Sequence, residues 1–245
     1  MSLLAWFILG VFIGNAQNAF IYRFPRGIPL LHAASRCLQC HIPLAAYDNI
    51  PILSFIFRRG RCKSCRAPTN PRYVLIELAT GVLFAALFHR WQDNNLWLLV
   101  ASLASINLIL IALINWDTYV IPGELSLTLL ALGLLTSWFN PNFGGGWKGV
   151  TTASIGAATA FLVGWPATLA GRSLFGNEPV GLGDVVLISA VGSFAAWRGA
   201  LFTFIIAHVL GSLWGVLLVS SKRCNLKDPI PFGPFLGLAS LYHFL

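Results

Sequence analysis

Two cysteine pairs, Cys37-x2-Cys40 and Cys62-x2-Cys65, stand 21 residues apart, and the tetrapeptide Gly181-Leu182-Gly183-Asp184 sets a carboxylate at the head of the apolar run Val185 to Phe194. Each pair can present two sulfurs to one ion while the segment between them folds back, which is the pattern of a tetrahedral thiolate zinc site. Two disulfides are the alternative, disfavoured if the loop faces reducing cytoplasm. The cations Arg36, Arg58, Arg59, Arg61, Lys63 and Arg66 would offset the charge of four thiolates, or simply mark the inner side of a membrane. His41 reads as a surface residue, and Cys224 has no assigned role.

A carboxylate where a membrane helix meets water is costly and usually functional. Hydrolysis by paired carboxyls needs one ionised group to activate water and one protonated group to polarise the carbonyl, and close approach splits their pKa values. Asp184 at a helix start is favoured as the ionised water activator, because the macrodipole there is positive. Gly181 and Gly183 lack side chains and allow a substrate backbone to approach. The competing reading of Asp184 is an N-cap.

Its partner should come from Asn115-Trp116-Asp117, ahead of Ile121-Pro122. Asp117 is the obvious acid, but residues two apart on a helix point in nearly opposite directions. Asp117 lies over Leu113, Leu110, Ile106 and Leu103, a stripe expected to face lipid. Asn115 lies over Ala112, Ile111, Leu108, Ala104 and Ala101, and small residues mark helix interfaces in membranes. Position 115 is therefore the one expected to aim inward, provided the helix reaches it. Glu77 suits either a site near the cysteine loop or a place at the interface, and His208 reads as an interior histidine.

The elements that must position these groups are membrane helices. The chain is 57% hydrophobic and 10% charged with a mean hydropathy of +0.75, against about 25% charge in soluble domains. Apolar runs at 3–21, 73–89, 96–114, 124–139, 150–170, 185–197, 199–220 and 232–245 predict an all-α polytopic protein of about eight transmembrane helices, with a small four-cysteine loop domain. The first run lacks a basic flank and a cleavage pattern and reads as a retained helix with its N-terminus outside. Loops 22–72, 115–123, 171–184 and 221–231 then fall inside and hold thirteen of the sixteen Lys and Arg, as cytoplasmic loops should. That bias accounts for most of the +8 net charge, so no nucleic-acid partner is expected. The 140–146 stretch reads as a flexible outer turn.

In order along the chain, Gly14-Asn15-Ala16-Gln17-Asn18-Ala19-Phe20-Ile21-Tyr22-Arg23-Phe24-Pro25, the two knuckles, Asp48-Asn49-Ile50-Pro51-Ile52-Leu53-Ser54-Phe55, Arg59-Gly60-Arg61-Cys62, Arg72-Tyr73 with Glu77-Leu78, Gly-Leu-Gly-Asp and Pro231-Phe232-Gly233-Pro234-Phe235-Leu236 resemble the type IV prepilin peptidase family. The resemblance implies cleavage of a short basic leader from prepilins or pseudopilins of type IV pilus and type II secretion systems. Methylation of the new N-terminus from S-adenosylmethionine follows, at the cytoplasmic face of a bacterial inner membrane. It implies a methyltransferase-associated region over 1–72, extending into 73–89, with Asp48, Asn49, Arg72 and Glu77 as candidate cofactor residues, and a GxGD aspartic peptidase domain over 96–245. Asn115 stands where the family has its first catalytic aspartate, which implies a silenced protease site. Asp117 matches a second acidic position found in only some members.

Two other classes compete. A silent scaffold would bind prepilins or assembly partners through its zinc loop. A proton-coupled transporter would hold its acids near the bilayer midplane rather than at the cytoplasmic ends.

Overall fold

Every long apolar run becomes helix, because a backbone in hydrocarbon must satisfy its own hydrogen bonds. The computed structural model describes residues 2–30, 36, 37, 39–43, 50–175, 181–222, 225 and 230–245. Its α-helices are α1 (Leu3–Arg23), α2 (Leu53–Phe57), α3 (Arg72–Trp91), α4 (Asn95–Thr118), α5 (Gly123–Thr136), α6 (Gly146–Phe175), α7 (Leu182–Ser220) and α8 (Gly233–Leu241). Among the described residues there is no strand, only two isolated bridges. Four stretches among them, Leu3–Arg26, Arg72–Trp91, Asn95–Thr118 and Leu182–Ser220, are long and apolar enough to cross a membrane.

Of the eight expected spans, four stretches among the described residues have the length and hydropathy to cross, α5 has 14 residues, and other runs differ in form. Runs 185–197 and 199–220 join into α7, which breaks at Ala196. There φ is 57° and ψ −178°, a region that residues other than glycine occupy only at a cost. The last run is helical for nine residues, about 14 Å at 1.5 Å per residue, which is too short to cross alone.

The chain divides into two compact units, Met1–Asp93 and Asn94–Leu245. In the first, α1 packs on α3 through Gly10 and Gly14, a Gly-x3-Gly pair that lets the helices approach closely. A Cβ on Gly14 would lie 2.7 Å from the Glu77 Cα, and one on Gly10 would lie 2.7 Å from the Phe84 Cβ. Polar side chains of α1 follow the same face: Gln17 accepts from the Thr80 hydroxyl at 3.0 Å, and Asn18 donates to the Tyr73 carbonyl at 3.0 Å.

In the second unit, α6 crosses α7 where Gly156 meets Gly192, backbone against backbone, with no room for a side chain on either. The core here is built from Trp97, Leu98, Leu108, Ile111, Leu129, Leu187 and Leu236, all buried. The 140–146 turn is pinned at its start: Asn140 is buried, accepts from the Asn142 N–H at 3.0 Å and donates to the Phe194 carbonyl at 3.4 Å.

Candidate functional site

Helix α4 continues to Thr118, so position 115 lies within it, and Tyr119 closes the helix with φ 60° and an N–H bond to the Asn115 carbonyl at 2.8 Å. Ala101, Ala104, Leu108, Ile111 and Asn115 are buried and Ala112 is half-buried, whereas Asp117 is exposed. The outer stripe departs from expectation at one place, Leu110, which is 6% exposed. Hydropathy alone cannot tell a lipid-facing leucine from one covered by another helix.

What Asn115 meets is the start of α8. Its Oδ1 accepts the Gly233 N–H at 2.9 Å, one of the backbone donors that a helix start leaves unpaired. A Cβ on residue 233 would fall 2.9–3.0 Å from Oδ1, Cβ and Cγ of Asn115, so the contact requires glycine. With Oδ1 turned to that donor, the amide Nδ2 faces the other way.

Asp184 is not the N-cap of α7. Gly181 takes that place, and Asp184, third in the helix, accepts the Gly181 N–H on Oδ2 at 2.9 Å while its own N–H donates to the Gly181 carbonyl at 3.1 Å. Among the described residues Oδ1 of Asp184 carries no hydrogen bond. Gly183 does not open onto free space, because a Cβ there would lie 2.8 Å from that of Ile121. The glycine thus lets the segment that follows α4 press against the head of α7. Gly181 has ordinary clearance, with Asp184 Oδ2 at 3.5 Å from a Cβ placed there.

Two residues that the sequence reading did not place in the catalytic site belong to this neighbourhood. Gly233 was visible only as part of the Pro-Phe-Gly-Pro run. The His208 ring lies tilted at 55° to that of Phe232, the residue before Gly233, with centroids 4.6 Å apart, and within electrostatic reach of Asp184. Its Nδ1 sits 2.8 Å from the Phe204 carbonyl, so its interior character holds alongside that proximity.

The cysteines form a second site, in the first unit. The two knuckles repeat one geometry: the Cys37 N–H donates to the Ile42 carbonyl and the His41 N–H to the Cys37 carbonyl, as the Cys62 N–H does to Ala67 and the Arg66 N–H to Cys62. His41 and Arg66 both take φ 56°, and bridges Arg36 to Pro43 and Arg61 to Pro68 close the turns. The four Sγ atoms lie within 4.8 Å of one another, with Cys37 to Cys65 at 3.8 Å and Cys40 to Cys62 at 3.9 Å. A tetrahedral ion with ~2.3 Å bonds to sulfur requires edges of about 3.8 Å. All four cysteines are free thiols, so the disulfide alternative is not adopted and the cluster can hold a metal ion.

Backbone donors already prepare thiolates there. The Cys65 and Ser64 N–H groups lower Cys62 to about 6, and those of Cys40 and Gln39 lower Cys37. The Ala67 N–H also favours the Cys65 thiolate, but desolvation and the neighbouring cysteines prevail and push it up to about 11.

Of the candidate cofactor residues, Glu77 is buried with both oxygens engaged: Oε1 accepts from Asn15 Nδ2 at 3.0 Å and Oε2 from the Ile52 N–H at 2.8 Å. The Arg72 N–H donates to Asn70 Oδ1 at 2.9 Å. Asp48 and Asn49 lie outside the described residues.

Comparison with known proteins covers both units. Residues 8–91 match the family described as bacterial peptidase A24 N-terminal domain, and residues 102–216 match the type IV leader peptidase family. The chain is 31% identical to a prepilin leader peptidase/N-methyltransferase of Aeromonas hydrophila, over 95% of this chain and 87% of that protein. It is 31% identical to one of Burkholderia pseudomallei over 99% and 85%, and 28% identical to one of Pseudomonas putida over 95% and 86%. No solved structure matches the chain.

Proposed function

The chain belongs to the type IV leader peptidase family, and from that membership we propose that it is a prepilin leader peptidase and N-methyltransferase whose protease site is silenced at Asn115. One observation carries the reading. The contact of Gly183 with Ile121 brings the head of α7, where Asp184 lies, against the segment that follows α4, while Gly233 meets Asn115 near the end of α4.

Ionised Asp184 takes a proton from water as the water attacks the scissile carbonyl. A protonated carboxyl at 115 gives the carbonyl oxygen a hydrogen bond and then its proton; Asp184 passes the proton it took from water to the leaving amine as the C–N bond breaks, and the diol hydroxyl returns a proton to the carboxylate at 115 as the product acid forms. The Asn115 amide can give the hydrogen bond but no proton. Gly181 supports substrate approach, whereas Gly183 serves helix packing. Asp117, exposed, is the weaker partner. The peptidase work is assigned to 96–245, with the active face and the cysteine loop on the cytoplasmic side and the N-terminus outside.

Cys37, Cys40, Cys62 and Cys65 would hold Zn2+, and with all four donors supplied by sulfur the ion would serve structure rather than catalysis. The relatives are named N-methyltransferases, and S-adenosylmethionine is the methyl donor that the family resemblance implies. Glu77, the only buried carboxylate among the described residues, is committed to Asn15 and Ile52 and does not cradle a sulfonium, so we derive no step through the cofactor.

Asn115 itself favours a second reading, a silent scaffold that binds prepilins or assembly partners through its zinc loop. Asn115→Asp separates the two. Leader cleavage by the Asn115→Asp variant, with none by the unaltered chain, supports the silenced enzyme. No cleavage by a folded, prepilin-binding Asn115→Asp variant leaves the scaffold.

A further inference from the structure

The first unit contains a cleft of about 940 Å³ that the peptidase reading does not use. Arg58, Arg59, Arg61, Lys63 and Arg66 line it beside Phe57, and no lining residue is acidic. Five cations around one space favour an anion within it. The ligands already proposed for this protein do not supply one, since a basic leader and a sulfonium would both be repelled.

The depth of the cleft suggests what does. Ile52 caps the start of α2 and its N–H is held by Glu77, and Glu77 lies five residues inside α3, about 7.5 Å along its axis. Because α3 is long and apolar enough to span a bilayer, this bond holds α2 at the level of the membrane surface. Ile56 and Phe57 are 60% and 82% exposed there. Exposed apolar side chains beside a cationic cluster at that depth match a segment that lies in the interface of an anionic bilayer.

We infer that this cleft binds the headgroup phosphate of an anionic phospholipid, with Phe57 and Ile56 entering among the acyl chains. The site rests on the membrane reading alone and is independent of whether the protease is active. Bound lipid would hold the cysteine loop against the membrane through the α2 side, while Glu77 holds it from within.

The test places the full chain in nanodiscs of phosphatidylcholine, with or without phosphatidylglycerol, and follows amide hydrogen exchange over residues 50–66. Slower exchange is expected with phosphatidylglycerol and not with phosphatidylcholine plus inorganic phosphate. In Arg59→Gln and Arg66→Gln, the phosphatidylglycerol fraction giving half the effect should rise about fivefold per charge removed, the equivalent of ~1 kcal/mol for each interfacial cation. Equal exchange in both lipids overturns the proposal. So does equal protection by inorganic phosphate, or by a soluble acidic peptide, which would make the partner a protein. The comparison on the unaltered chain stands even where a variant fails to fold, and metal content checks each variant.

Discussion

The Gly233 N–H donates to Asn115 Oδ1 at 2.9 Å, joining residues 118 positions apart. The bond sets the orientation of the side chain at 115, and a carboxylate there can accept it as an amide does. An aspartate at 115 would thus keep this bond on one oxygen and carry its proton on the other.

In the Asn115→Asp background, Asp184→Asn should abolish leader cleavage. The loss expected for removing a general base is about 10²-fold or more in kcat, with KM little changed. Steady-state cleavage of a prepilin in detergent or liposomes reads it. Asp117→Asn in the same background should leave the rate within a few-fold, and a loss as large as that of Asp184→Asn would make Asp117 the partner.

Gly233→Ala inserts a methyl where only 2.9–3.0 Å separates it from Asn115. We expect overpacking to cost about 1–3 kcal/mol, seen as a lower midpoint in thermal unfolding. Combined with Asn115→Asp it should also depress cleavage, because the shift moves the catalytic side chain.

Glu77→Gln should destabilise the first unit. Two donors, Asn15 Nδ2 and the Ile52 N–H, share the two oxygens of Glu77, and an amide offers one oxygen and sets an N–H against the other donor. The expected loss is about 1–3 kcal/mol, with faster hydrogen exchange at Ile52 to Phe57. Unchanged exchange there would show that Glu77 does not hold α2.

Purified protein should carry one zinc per chain, lost in Cys37→Ser and in Cys62→Ser. Once the metal is stripped, ionisation rises with pH through each pKa, so Cys62, near 6, is a thiolate at neutral pH while Cys65, near 11, is still a thiol. Iodoacetamide at neutral pH should label Cys62 well before Cys65, by peptide mass spectrometry. Lowering the pH through 6 should slow Cys62 labelling, and zinc should be released as the thiolates take up protons. Equal labelling rates would contradict the unequal environments.

Local pattern was enough to place several of these groups. The Cys-x2-Cys spacing described a four-sulfur cluster because a knuckle is closed by its own backbone bonds, within five residues of its first cysteine. Helical period separated the faces of Asn115 and Asp117 for the same reason: once α4 runs past 115, direction follows from 3.6 residues per turn. Hydropathy marked the apolar runs because hydrocarbon demands continuous helix.

Tertiary structure alone decided the rest, since each remaining feature depends on a partner far along the chain. Leu110 is buried although its stripe reads as outward, and period 3.6 does not say which faces are covered. Glu77 meets Ile52 across 25 residues, Gly183 makes room for Ile121, and Gly233 meets Asn115. The sequence by itself determined the helices, the metal-ligating spacing and the inward position 115, all consequences of short-range geometry and solvent. Only the packed structure decided what those residues face, because close approach between distant glycines and side chains is settled by which helices fit against one another.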